Sequence, residues 1–189
     1  MYEEQKNGYE EVRDIEIEDA DITFLNFQGK EGDFNREGDR NFCIVIPNQN
    51  DAVLMYNDGW NIAVRAKEKA HRDACKGNKT LLEKIEILNS LGVLEDAMFY
   101  LKINVSYKYP EKAPKIWLVK NRSDKKRLEP MSELTVGELD NVDILRFDCV
   151  INAHHYSTPT RSGISAYLKE AYVTIRESAI KQKYAEYED

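Results

Sequence analysis

The sequence predicts a mainly β domain, a small Greek-key barrel carrying an αα-hairpin insertion. Three observations predict it. Period-two hydrophobicity recurs along the chain, most clearly at 98–107, where Phe99, Leu101, Ile103, Val105 and Tyr107 alternate with Tyr100, Lys102, Asn104 and Ser106. Helical spacing is confined to short stretches at 48–58 and 66–92. The 189 residues are 42% hydrophobic and 32% charged, which suits one well-packed domain rather than a disordered chain. The expected organisation is an acidic arm at 1–14, a body at 15–177 and a short acidic tail at 178–189.

The elements follow in order. Residues 15–27, IEIEDADITFLNF, read as one long first strand. The loop GKEGDFNREGDR comes next, with Phe34 and Arg36 near its tip; Phe34 is expected to tuck back as an anchor, with stacking on a base as its other role. Residues 40–47 form a second strand that Pro47 ends. Asn48 or Asn50 caps a helix reaching Asp58, and Gly59 lies just past its end. A short third strand covers 60–65. In the insertion, Gly77 closes a charged helix. Thr80 and Glu83 then form a capping box ahead of Leu81, Ile85, Leu88 and Leu91. Packing over the sheet, self-association and capping a barrel end are all open to this αα-hairpin.

The chain is organised around 98–122, expected to be a β-hairpin whose turn is bracketed by Pro110 and Pro114. Its polar face carries Tyr100, Lys102, Lys108, Lys115 and Trp117. A basic turn, NRSDKKRLEP, follows. Residues 141–153 give a sixth strand, with Leu145, Phe147, Cys149 and Ile151 facing one way. HHYSTPTRSG is expected to be a loop. Residues 164–177 suit helix or strand, and the β-branched run AYVTI favours a strand at the end.

Charge is distributed unevenly. The net charge is −7, yet residues 1–21 hold nine acidic and two basic side chains, and EYED closes the chain. Residues 22–185 hold 25 basic and 22 acidic side chains. From Lys102 to Arg127 there are nine Lys or Arg against Glu111 and Asp124. Cations beside rings on a sheet face suit a single-stranded nucleic acid, with phosphates on the cations and bases stacked on the rings. The bland reading is that the rings lie under another layer and the lysines solvate an edge. No apolar run approaches the roughly 18 residues of a membrane span. The polar N-terminus is no secretory signal, and three scattered cysteines argue for reduced thiols in the cytoplasm.

Constellations for catalysis are weak. His71 and Cys75 stand at i, i+4, half a zinc site without a second pair. His154 and His155 suit a phosphate or base contact better. Asp140, Asp143 and Asp148 lie near one strand, but Asp143 and Asp148 fall on opposite faces, a poor basis for a two-metal nuclease. No phosphate-binding glycine motif is present. The reading therefore requires no cofactor and no bound metal, and it is not an enzyme.

The segments FLNFQGKEGDFNREGDRNFCIVI, DGWNI, FYLKINVSY and SGISAYLKEAYVTI together resemble the single-stranded DNA-binding proteins of phage replication modules. The resemblance covers about 20–65 and 98–177 and leaves the helices at 66–92 outside. It implies an OB-fold barrel and binding of single-stranded DNA with little sequence preference, in replication or recombination, in the host cytoplasm. It implies strand contacts at Tyr100, Lys102, Tyr107, Lys108, Lys115 and Trp117. Arg36, Arg40, Arg122 and Arg161 would hold phosphates, and Tyr167 and Lys169 would extend the groove. Replication or recombination proteins at the acidic termini and a homo-oligomer are the further partners it allows; a membrane is not one. EYED lacks the aromatic last residue of some phage proteins. Two other readings stand beside this one: an inhibitor or DNA mimic acting through the acidic arm, and a metal-dependent nucleic-acid-processing enzyme.

Overall fold

The computed structural model describes Tyr2, residues 13–122 and residues 125–178, with the backbone alone at 121, 122 and 125. Two short strands, β1 (Ile15–Ile17) and β2 (Ile22–Asn26), replace the one long strand expected. The break falls at Asp19, whose φ of 50° lies in the left-handed region. The Asp19 amide donates to the Asp148 carboxylate at 2.7 Å, and the Ala20 amide donates to the Phe147 carbonyl at 2.8 Å.

The next elements follow their local signals. β3 (Arg40–Ile46) precedes α1 (Gln49–Asp58). The Asn48 side chain accepts from the amides of Asn50 and Asp51, and Gly59 closes the helix at φ 109°. After β4 (Ile62–Arg65) come α2 (Lys69–Ala74) and α3 (Leu81–Ser90). Thr80 accepts from the Glu83 amide, and the Glu83 carboxylate accepts from the Thr80 amide, so the capping box forms as read. In β5 (Met98–Val105), Phe99, Leu101, Ile103 and Val105 are buried and the residues between them are more open.

The remaining strands correct the sequence reading. β6 (Lys115–Arg122) does not form a hairpin with β5; it pairs in parallel with β9 (Ser162–Ile175) and antiparallel with β7 (Lys125–Met131). The supposed basic turn is therefore largely strand. β8 (Ile144–Ser157) runs through His154 and His155, which were expected in a loop. The ambiguous segment 164–177 is strand up to Ile175. In β9 the alternation of buried residues shifts by one between Leu168 and Ala171, as a bulge would make it. The strands make one mixed sheet in the order β1-β8-β9-β5-β3-β2, with β4 added to β5. The ends of this path, β1 and β2, do not pair with each other among the described residues, so the sheet is not closed into the expected barrel.

Two compact units are built on these strands. The first comprises Tyr2, Arg13, Cys43–Lys102 and Ala153–Ala166. Its core includes Trp60, Phe99, Leu101 and Ile164, and a second cluster packs Ala66, Cys75 and Leu88 beneath α3. Cys75 is thus a core residue. The Trp60 indole N–H donates to the Tyr2 hydroxyl at 3.0 Å, and that hydroxyl donates to the buried Asp58 carboxylate at 2.7 Å. A residue of the acidic arm is thereby seated on the body.

Among the described residues, the second unit comprises Asp14–Phe42, Ile103–Asn152 and 167–178. Phe27 stacks on Phe42 at 5.2 Å, and Phe42 meets Phe147 edge-on at 5.1 Å. Fully burying side chains of this size is worth roughly 1.5–3 kcal/mol each. The Asp140 carboxylate accepts from the amides of Phe27 and Gln28 at 2.8 and 2.9 Å, tying the first loop to the turn before β8.

Candidate nucleic-acid interface

The candidate residues divide between the two units. In the first, β5 carries half-buried Tyr100 and exposed Lys102. Burial raises the Tyr100 hydroxyl above its usual range; Cys43 adds to this and Arg65 opposes it. Arg161 is exposed in the β8–β9 turn, with its guanidinium carbon 5.7 Å from the Tyr156 ring centre. Tyr156 donates to the Asn61 side-chain oxygen at 3.0 Å.

The second unit holds the denser set. The chain leaves β5 through Tyr107, Lys108 and Tyr109, and Pro110 opens a single 3-10 turn ending at Lys112. Proline fixes that start because it has no amide to lose. The turn brings the Lys108 and Lys112 ammonium groups to 5.4 and 5.9 Å from the Tyr109 ring centre, and the ring stays 52% exposed. A half-exposed ring with two cations this close has the chemistry of a base-stacking platform.

Beside it, Arg40 at the start of β3 donates from Nη1 to Glu133 Oε1 at 3.2 Å and lies 5.7 Å from the Tyr107 ring centre. The Arg40 Nε and the Tyr107 hydroxyl are buried without a partner. A buried polar group left so costs about 1–3 kcal/mol. Burial pushes the Tyr107 hydroxyl up to about 12; Arg40 opposes the shift and Glu133 adds to it.

A third group lies on the sheet. Register places Trp117 between Pro130 of β7 and Tyr172 of β9, and Lys115 opposite Glu170. Trp117 and Tyr172 are half-buried and Lys115 is exposed. On the opposite face, Ile116, Leu118 and Met131 are buried. Pairing with β9 stops at Val119, whereas β6 and β7 pair on to Arg122 and Lys125, forming a two-stranded ribbon with exposed Lys126 and Arg127. Lys120 is ion-paired with Glu129. The Arg122 side chain lies outside the described residues. Arg36 is exposed in the first loop, Tyr167 is half-buried, and exposed Lys169 pairs with Asp14 at 2.8 Å.

A family model described as "Putative phage ssDNA-binding domain" matches residues 4–82 and 92–189. The chain belongs to this family. The match runs through α2 and leaves out residues 1–3 and 83–91, the latter most of α3. A search of the curated proteins finds no match. Among solved structures, the single-stranded DNA-binding protein from bacteriophage Enc34 in complex with ssDNA aligns at TM-score 0.44 and 10% identity, over 87% of this chain and 88% of that one. Its C-terminal truncation aligns at 0.41 and 9%, over 87% of each chain.

The structure adds two exposed rings, Tyr109 and Phe34, and the half-buried ring of Tyr156 to the candidate residues. Tyr109 stands amid KYPEK, a segment that places lysines within reach of its ring. Tyr156 was assigned to a loop. Phe34 was expected to tuck back; instead it is 86% exposed beside a tight turn in which Gly32 and Asn35 exchange backbone hydrogen bonds of 3.0 and 3.2 Å. The carboxylates suspected of metal chemistry are separately engaged. Asp140 holds the first loop, Asp148 accepts from Arg146 at 2.8 Å, and Asp143 pairs with Arg176 at 2.8 Å. Among the described residues, no three His, Cys, Asp or Glu side chains are grouped to hold a metal ion. No described helix is long and apolar enough to cross a membrane.

Proposed function

We propose that this chain binds single-stranded DNA with little sequence preference and coats it during phage-type replication or recombination, without catalysis. The observation that carries this reading is Tyr109, half exposed between Lys108 and Lys112, in a chain of a phage ssDNA-binding family. The same chemistry extends to Trp117 and Lys115, to Arg40 and Tyr107, and to Arg161 on Tyr156. Tyr100, Lys102, Arg36, Arg122, Tyr167 and Lys169 complete the proposed phosphate and stacking contacts. Stacking is sequence-tolerant because every base has a π-face. The acidic termini would contact replication or recombination proteins, and coating a strand favours self-association.

Fluorescence anisotropy with labelled oligo-dT and a duplex of equal length tests the reading. The single strand should bind more tightly, and affinity should fall steeply with salt. Equal or stronger binding to the duplex would contradict it.

One observation favours a second reading, in which the arm engages a protein: Tyr2 ties the start of the arm to Trp60 and Asp58. Deleting 1–14 would break that contact, so charge removal is the cleaner test. With Glu3, Glu4, Glu10 and Glu11 changed to Gln, a coating protein binds DNA as well or better. A DNA mimic loses its protein target.

A further inference from the structure

We propose that Arg40, Tyr107 and Glu133 form a carboxylate-gated phosphate site: Glu133 occupies Arg40 in the free protein, and a phosphodiester of the single strand displaces it to take both the guanidinium and the Tyr107 hydroxyl. The inference rests on the DNA-binding reading and names how one of its contacts is held in reserve.

The Arg40 side chain is 21% exposed, so its charge needs a partner. Glu133 satisfies it incompletely, through one oxygen on Nη1 at 3.2 Å. The Nε–H donates to nothing, and the Tyr107 hydroxyl likewise has no partner. These are the two buried side-chain polar atoms without a partner among the described residues. Folded proteins rarely leave such donors unused, and a ligand that supplies acceptors is one explanation. A phosphodiester has two free oxygens, which match the guanidinium fork and leave a lone pair for the hydroxyl. The Tyr107 ring, 5.7 Å from the guanidinium carbon, fixes where the fork can lie.

Glu133 is suited to leave. Its side chain is 53% exposed, so it regains water when it goes. It sits in a turn bonded to itself: the Ser132 amide donates to Thr135 Oγ1 at 2.9 Å, and the Leu134 amide donates to Ser132 Oγ at 3.2 Å. Release of the side chain does not unmake the turn. Lys108 and Tyr109 follow Tyr107 directly, so a strand anchored here continues onto the platform. Lys169 with Asp14 and Lys120 with Glu129 are likewise capped by carboxylates, but neither pair leaves a buried donor unpaired.

Oligo-dT titrations over a salt series test the gate. Glu133→Gln should bind about two- to five-fold more tightly than the unaltered protein, and this gain should vanish in an Arg40→Gln background. Arg40→Gln should flatten the slope of log K against log salt by about 0.7. Tyr107→Phe should weaken binding at an unchanged slope. If Arg40→Gln does not fold, Arg40→Lys serves in both comparisons; it keeps the charge but lacks the fork, so it should bind more weakly at an unchanged slope and shrink the Glu133→Gln gain. Unchanged affinity in Glu133→Gln, or a gain that persists undiminished without the arginine, overturns the gate while leaving the function standing. Failure of the unaltered protein to bind any single strand overturns both.

Discussion

In the proposed interface, Tyr109 is the single side chain expected to contribute most. Replacing it with Ala should weaken oligo-dT binding by about 1–3 kcal/mol, the worth of one stacked base. Stability should move by no more than about 0.5 kcal/mol, because the ring is at the surface. Tyr109→Phe should bind nearly as the unaltered protein does, since the ring and not the hydroxyl is used. Anisotropy and urea unfolding together check both statements. A second prediction concerns pH. Burial raises Cys43 to about 11, and Cys149 and Tyr107 to about 12. All three are neutral when protonated, so the folded chain keeps protons that the unfolded chain releases from about pH 9 upward. Their contribution is complete below that pH and is lost as pH rises towards 12, each group adding at most about 1.4 kcal/mol per pH unit. Urea midpoints measured from pH 8 to 11 should fall, and Cys149→Ala should soften the fall. A flat profile would contradict the burial of these groups. At this scale the sequence was only partly legible. Alternation marked which face of β5 is buried, but whether a ring such as Phe34 turns in or out depends on loop geometry that no local pattern encodes.

Helix ends and strand faces were legible because their causes are local: Asn48, Gly59, Thr80 and Glu83 act within a few residues of themselves. Strand partners were not. Period two says that 98–105 and 115–122 are strands, but it does not say which strands lie beside them. The Pro110 turn looked like a hairpin connection, and β6 instead joins β9 in parallel, a pairing between residues some fifty positions apart. The break at Asp19 was equally hidden, since its hydrogen-bond acceptor is Asp148, 129 residues away. One element-level prediction follows from the β8–β9 hairpin. A Cβ at Gly163 would lie 2.8 Å from the Tyr156 hydroxyl and 3.1 Å from the Asn61 side-chain oxygen. Gly163→Ala should therefore destabilise the protein by about 1–3 kcal/mol. Adding Tyr156→Phe, which removes the clashing oxygen, should recover part of the loss in a urea double-mutant cycle. Full stability in Gly163→Ala would show that the tyrosine does not lie across the glycine.

Across the whole molecule, the family was legible in the sequence, and the closed barrel inferred beside it was not. Order and spacing of strands are shared by barrels and open mixed sheets; closure depends on whether the last edges meet, and here β1 and β2 do not pair. The net charge of −7 also misleads when taken alone, because the acids concentrate at the ends and the cations in the segment that carries Tyr109 and Trp117. The central claim is that the rings among those cations receive a single DNA strand. The most direct measurement is tryptophan fluorescence during titration with oligo-dT at several salt concentrations. Trp60 is 1% exposed and should stay silent, so the signal reports Trp117. The account predicts quenching that saturates with binding, weakens steeply as salt rises and disappears in Trp117→Phe while binding persists. No binding at low salt, or quenching that survives the loss of Trp117, would contradict it.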